Sequence, residues 1–242
     1  MILKVLSWNI WHGKYLDKII EFIKKNDPDI IALQEVNESD VLENIAKQIA
    51  GKLNYKYVFC SAIETDRHET KYRMGNAILS KFEIAKSNCH FLSSNEMYKG
   101  NAETEPRVAL EATVKIDGQT LRVISVHLAY SPGFRSSEMR NLQVQNLIKL
   151  LPGEKTILMG DFNSHPDGEA VIEVSKLMKN TDKNLDKPTW TMYSFDFEGF
   201  AETKLAHRID YIFTSPDVKV QSFKVEDSDG SDHLPISAAL EI

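Results

Sequence analysis

The chain has 242 residues and is 42% hydrophobic, enough to bury a substantial core within one large α/β domain spanning residues 1–242. With 29 Lys plus Arg against 35 Asp plus Glu, the net charge of -6 excludes a global attraction to polyanions. A phosphate-bearing substrate would have to be held by local cations, bound metal or backbone groups. Cys60 and Cys89 are too few for a disulfide framework and show no CxxC spacing, so reduced structural thiols are expected.

The first residues, MILKVLSWN, already read as a strand, with no basic segment, apolar stretch and cleavage site before them. No apolar run approaches the roughly 18 residues of a spanning helix. The expectation is a soluble, cytoplasmic monomer without a membrane anchor.

In chain order, β-branched runs alternate with helical spacing: strand Ile2–Ser7, helix Leu16–Lys25, strand Ile30–Leu33, helix Val41–Leu53. Leu16, Ile19, Ile20 and Ile23 mark one helical face. Strand-like pieces follow at Tyr57–Ser61, Ala77–Leu79, Ala109–Ile116 and Leu121–His127, resembling an antiparallel meander. The alternation then resumes with a helix around Ser137–Leu151, a strand at Thr156–Met159 and a helix near Glu169–Met178. Strands at Arg208–Phe213, Val218–Val225 and Ile236–Leu240 close the chain. Two similar halves imply two packed sheets flanked by helices. The polar stretches Glu64–Arg73 and Ser93–Glu105 read as long loops. The aromatic run YSFDFEGF, Tyr193–Phe200, reads first as a packed hairpin, with base stacking or lipid contact as alternatives.

Oxygen-bearing side chains recur where strands end, the place where an α/β protein opens its binding crevice. Asn9 in SWNIWHG and Glu35 in LQEV are each ordinary alone, a turn residue and a solvated strand end. As a pair on neighbouring strands they suit Mg²⁺ or Mn²⁺, which take oxygen ligands. Trp8 and Trp11 bracket Asn9, so one is expected in the core and the other at the mouth of the site. In MGDFNSHP, Gly160 permits a tight backbone before Asp161 and Asn163. That pair is either an Asx-type turn or a water-orienting carboxylate beside an amide donor to phosphate. HRIDYIF sets Asp210 in an apolar run and SDHLPI sets Asp232 beside His233. A buried carboxylate paired with His would fix the tautomer and favour the charged ring. His127 in SVHLAY, taken alone, is a core histidine. Arg107 after EP, Asn76 in GNAILS, Tyr130 in HLAY and Arg140 are secondary candidates for substrate contact, against a background of solvated arginines, a Gly-Asn turn and an ordinary surface tyrosine.

Taken together and in this order, SWNIWHG, LQEV, SVHL, GDFN, RIDYIF and SDHLPI resemble the motifs of the endonuclease/exonuclease/phosphatase, or DNase I-like, superfamily over nearly the whole chain. The resemblance implies a four-layered α/β sandwich, two mixed sheets face to face with helices outside. It implies a Mg²⁺ or Mn²⁺ site on Asn9 and Glu35 with Asp232 nearby, and water activation and phosphate contact at Asp161 and Asn163. It also implies an acid–imidazole pair of Asp210 with His233, and His127 on the scissile phosphate. Trp11 and His127 depart from the apurinic-site endonuclease pattern, which has Asp and Tyr there, and are more like the DNase I, tyrosyl-DNA phosphodiesterase, deadenylase and sphingomyelinase branches. HRIDYIF also lacks the PAWCDR-like string of inositol polyphosphate 5-phosphatases. The expected activity is hydrolysis of a phosphate ester by water, on nucleic acid first. A lipid- or inositol-phosphate substrate is the alternative, and a non-catalytic binding relative would have lost Glu35, Asp161 or His233, all of which are present.

Overall fold

Short apolar runs such as TILMG become strands buried on both faces, because adjacent residues of a strand point to opposite sides of the sheet and each side here has a cover. The computed structural model describes residues 1–67, 70–151 and 153–242. Its elements are β1 (Ile2–Asn9), α1 (Leu16–Asn26), β2 (Ile30–Ser39), α2 (Ile45–Leu53), β3 (Lys56–Arg67), β4 (Thr70–Ser80) and β5 (Glu83–Phe91). There follow β6 (Val108–Ile116), β7 (Gln119–His127), α3 (Glu138–Ile148), β8 (Thr156–Asp161), α4 (Glu169–Ser175) and β9 (Lys179–Asn180). The chain ends through β10 (Phe195–Phe197), β11 (Phe200–Glu202), β12 (Asp210–Thr214), β13 (Lys219–Val225) and β14 (Ile236–Glu241).

Two six-stranded sheets result, ordered β13-β14-β1-β2-β4-β3 and β5-β6-β7-β8-β12-β9, with β10 and β11 as a separate hairpin. Each sheet is mixed: β1 and β2 are parallel around α1, β7 and β8 parallel around α3, and the remaining pairs antiparallel. Alternation distributes the apolar residues between layers. Val5, Ile30, Val123 and Ile157 meet in the core between the sheets, while their neighbours Leu6, Ile31, Ile124 and Leu158 face outward. The outward set of the first sheet is covered by Ile19 and Ile23 of α1 and Ile49 of α2, that of the second by Val144 and Leu147 of α3 and Val171 and Val174 of α4. Helix, sheet, sheet and helix make the α/β sandwich, and each such fully buried aliphatic side chain stabilises it by roughly 1.5–3 kcal/mol.

Several boundaries differ from expectation for local reasons. The second helix starts at Ile45, not Val41, because the Asn44 side chain caps it by accepting from the Lys47 amide at 3.1 Å. Before it, the Ser39 hydroxyl accepts from the amides of Val41 and Leu42 and holds them in a turn. The polar stretch Glu64–Arg73 is not a loop but lies mainly in the β3–β4 ladder, with Thr65 opposite Tyr72 and Asp66 opposite Lys71; its residues 68–69 lie outside the described set. Ser93–Glu105 does form an irregular connection with two short 3-10 turns. The expected thiols are also corrected: Cys60 of β3 and Cys89 of β5 form a disulfide across the two sheets, with their Cα atoms 5.9 Å apart. No helix among the described residues is long and apolar enough to cross a membrane.

Candidate active site

The two parallel strand pairs end at the same edge of the sandwich, so their last residues converge. Asn9 ends β1, His127 ends β7 and Asp161 ends β8, and the β7–β8 register puts His127 beside Asp161. Gly160 makes that close pairing possible, since a Cβ there would lie 1.9 Å from the Val126 carbonyl oxygen. β12 enters antiparallel to β8 and sets Asp210 opposite Asp161. The loop before β14 is fastened to β1, with the Trp8 indole donating to the His233 carbonyl at 2.9 Å and the Ser231 hydroxyl to the Asn9 carbonyl at 2.7 Å. That fastening delivers Asp232 and His233. Glu35 arrives differently from expectation: β2 runs on to Ser39, and Glu35 sits in a bulge between Leu33 and Val36 at φ +55°. A non-glycine residue in that region is strained by about 1–3 kcal/mol, and the bulge re-aims its side chain out of the ladder.

At the centre of the cluster, the Asn9 Nδ2 donates to Glu35 Oε1 at 3.0 Å and to Asp161 Oδ2 at 3.1 Å, while Asn9 Oδ1 accepts from the Trp11 amide. Asp161 Oδ1 accepts from the Asn163 amide at 2.8 Å, and its Oδ2 faces the Nε2 atoms of His127 at 3.5 Å and His233 at 3.6 Å. His233 Nδ1 is 3.0 Å from Asp210 Oδ2. Asp232 accepts from the Trp190 indole at 3.1 Å and the Ser231 hydroxyl at 3.2 Å. Burial pushes Asp161 up to about 7, helped by the Asp210 charge and opposed by His233. Burial works against a charged His233, but Asp210, Asp161 and Asp232 outweigh it and push the ring up to about 10. For His127 burial, then the Arg107 charge, drive the pKa well below the usual imidazole value. Burial raises Asp232, whereas at Glu35 it is overcome, by His12 first and Asn9 next, leaving that carboxyl below its ordinary value.

Of the secondary candidates, Arg107 and Tyr130 line this crevice and both are buried, not solvated. Asn76 lies elsewhere: its buried amide donates to the carbonyls of Val108 at 2.9 Å and Ser125 at 3.3 Å, tying β4 of one sheet to β6 and β7 of the other. Arg140 is buried too, donating to the carbonyls of Ala129, Phe134 and Arg135 and so pinning the loop after β7. Trp8 is in the core and Trp11 lines the crevice. Sequence reasoning missed His12, whose Nε2 is 3.3 Å from Glu35 Oε2, and Trp190 on Asp232. His12 had a signal in the SWNIWHG string; Trp190, in the turn-rich PTWTM, had none.

Glu35, Asp161 and Asp232 line one crevice, with Asp210 behind His233, and the basic groups there are the His233 ring, His12 beside Glu35 at 3.3 Å and an Arg107 already paired with Glu105 at 2.8 Å. Such an excess of buried negative charge calls for a cation. The oxygen donors of Glu35 and Asp232 fit a hard divalent ion. Asp161, Asp210 and His233 form a second group whose ligand atoms lie within 4.8 Å of one another. His233, however, is already engaged with Asp210, and its raised pKa opposes coordination, which needs a neutral ring.

Carboxylates, imidazoles and an amide converge at the strand ends of an α/β sandwich, a donor set suited to phosphate-ester hydrolysis. The model of the Endonuclease/Exonuclease/phosphatase family matches residues 6–233, and the chain belongs to that family, whose enzymes depend on divalent metal. It is similar to Nocturnin of Drosophila melanogaster, 26% identical over 258 residues covering 88% of this chain and 37% of the fly protein, so the chain spans little more than a third of that relative. Among solved structures it resembles an endonuclease/exonuclease/phosphatase family protein from Leptotrichia buccalis C-1013-b, with a TM-score of 0.76, 22% identity and coverage of 99% of this chain and 100% of the other. It likewise resembles the Bacteroides thetaiotaomicron mannosyl-6-phosphatase, with a TM-score of 0.72, 22% identity and the same coverage. These structural likenesses show the fold.

Proposed function

We propose that the chain hydrolyses a phosphate ester of a nucleic acid with Mg²⁺ or Mn²⁺, by in-line attack of water. The observation that carries the nucleic-acid reading is the crevice wall: Trp11, Tyr130, Phe195 and Phe197 line the same cavity as the carboxylates and histidines. Aromatic faces beside a phosphate site suit the stacking of bases, while a bound metal would supply the positive charge that the net charge of -6 does not.

In this reading Glu35 and Asp232 hold the metal; Asn9, expected as a ligand beside them, braces Glu35 against Asp161 instead, its Oδ1 accepting from the Trp11 amide. When bound, the ion supplies Lewis-acid charge at the phosphoryl oxygens. Asp161, with its pKa near neutrality, orients the attacking water and accepts its proton. His233, held as a cation by Asp210, stabilises negative charge gathering on the phosphoryl or leaving oxygen. His127 and Asn163 position the phosphoryl group from the β7–β8 side.

The test is a panel of Mg²⁺ and Mn²⁺ assays on single- and double-stranded DNA, RNA, tyrosyl-linked DNA ends, sphingomyelin, inositol phosphates and sugar 6-phosphates. Cleavage of a nucleic acid at rates well above the others is expected. Turnover confined to a lipid, inositol or sugar phosphate would replace the substrate assignment while leaving the phosphoesterase intact.

A further inference from the structure

The two donor nitrogens against His127, from Arg107 and Asn163, cannot both be satisfied by one neutral ring, and the conflict identifies which nitrogen carries the proton. We infer that Arg107 is a positioning residue for His127, fixing its imidazole with the proton on Nε2 so that the ring presents a hydrogen-bond donor to the crevice.

Arg107 Nη1 lies 3.1 Å from His127 Nδ1 in a buried contact. A guanidinium has donors and no acceptor, so this contact is a hydrogen bond only where Nδ1 bears a lone pair. On the other side, Asn163 Nδ2 is 3.1 Å from His127 Nε2 while donating to the Leu128 carbonyl at 2.9 Å. It too is a donor. A neutral imidazole has one lone-pair nitrogen and cannot accept from both. The tautomer that satisfies Asn163 aims an N–H at a buried cation. The tautomer that satisfies Arg107 makes a charge-assisted bond, roughly twice as strong as a neutral one. It leaves Nε2–H facing Asp161 Oδ2 at 3.5 Å, and Asn163 keeps its bond to Leu128. Arg107 therefore prevails.

The guanidinium is held for this task. Its Nη2 donates to Glu105 Oε2 at 2.8 Å, its backbone amide to Ser93 Oγ at 3.3 Å, and its carbonyl accepts from Leu92 at 2.8 Å. Gln143 ties the same loop together, donating to Ser93 Oγ at 3.0 Å and the Glu105 carbonyl at 3.3 Å. With few rotatable bonds left free, the planar fork keeps one geometry. The burial and positive charge that hold the His127 pKa down keep the ring neutral as well as oriented. His127 is thereby a neutral fixed donor, in contrast to His233, whose Nδ1 faces a carboxylate. This assignment holds whatever the substrate.

The test is a long-range ¹H–¹⁵N correlation spectrum of the metal-free protein carrying ¹⁵N-labelled histidine, with His127 assigned through His127→Gln. Nδ1 is expected at the lone-pair position and Nε2 at the protonated position throughout the neutral range. In Arg107→Met, with the donor removed, Asn163 directs the ring and the proton moves to Nδ1; Arg107→Lys, which retains a cationic donor, returns it to Nε2. On the substrate found by the panel, or on bis(p-nitrophenyl) phosphate, Arg107→Met should lower kcat roughly 10- to 100-fold with KM within about twofold. A proton on Nδ1 in the wild type overturns the inference, as does an Arg107→Met spectrum identical to wild type or a loss confined to KM. If Arg107→Met does not fold, the wild-type and Arg107→Lys spectra decide it.

Discussion

The two sides of the crevice balance their charge differently. On the side of the second sheet, Asp210 has His233 and Arg107 has Glu105, so charge is compensated within the protein. On the side of the first sheet, Asp232 has a neutral indole and a hydroxyl, while Glu35 has the Asn9 amide and a half-exposed His12. Buried carboxylates whose close partners are neutral donors and one exposed imidazole are less fully compensated, and a bound cation would complete the balance. In the proposed reading the compensated side orients protons and the less compensated side binds metal.

The largest effect falls on metal removal. Excess EDTA should abolish hydrolysis, and Mg²⁺ or Mn²⁺ should restore it; undiminished turnover in chelator would remove the division between the two sides. Next, His233→Ala should reduce kcat by about 10²–10⁴-fold with the fold intact, and Asp210→Asn should reduce it less, by misorienting the ring. Near-normal kcat in His233→Ala, measured alongside its circular dichroism spectrum, would contradict the role given to the compensated side. By contrast, Glu35→Gln should weaken metal affinity by about 10- to 100-fold, as read by calorimetric titration, without lowering the melting temperature of the metal-free protein. A lower melting temperature with unchanged affinity would make Glu35 a structural residue.

The pH dependence of stability probes His233 and Asp161 at the centre of the crevice. His233 titrates at about 10 in the fold and near 6.5 when unfolded, so its contribution is complete below about 6.5 and lost as pH rises through about 10. Asp161 is also raised, to about 7, so its contribution is largest below about 3.9 and has gone by pH 8. The metal-free protein should therefore lose stability between pH 7 and pH 10, by roughly 4 kcal/mol at most from His233. Urea midpoints across that range should flatten in His233→Gln; an unchanged slope would show that another group titrates. The smallest effect belongs to Asn76→Ala, which removes the inter-sheet amide and should destabilise by about 1–3 kcal/mol while leaving kcat at saturating metal unchanged.

The sandwich was legible because each apolar run split between two layers, as Ile157 and Leu158 do, leaving continuous buried strands that read as such. Strand β5 was not, because EIAKSNCHF lies half-exposed at a sheet edge and lacks both alternation and an apolar run. Glu35 could be picked out by chemistry, yet its bulge could not, since the extra residue shows only in the register against β4. Arg107 and Arg140 read as solvated because nothing local announces burial; their partners come from residues such as Glu105, His127 and Ala129 that the fold assembles around them. The Cys60–Cys89 bridge escaped for the same reason, since the two strands lie in different sheets. Order of motifs along the chain carried the family resemblance, whereas distances between motifs exist only after folding.

In the proposed reading metal binds the side of Glu35 and Asp232. The most direct measurement is anomalous scattering from crystals soaked in Mn²⁺. A peak bonded to the carboxylates of Glu35 and Asp232 is the predicted result, with the Asp210–His233 hydrogen bond preserved. A single peak on Asp161, Asp210 and His233 instead, with that hydrogen bond broken and Glu35 without metal, would overturn the assignment of Glu35 and Asp232 as ligands.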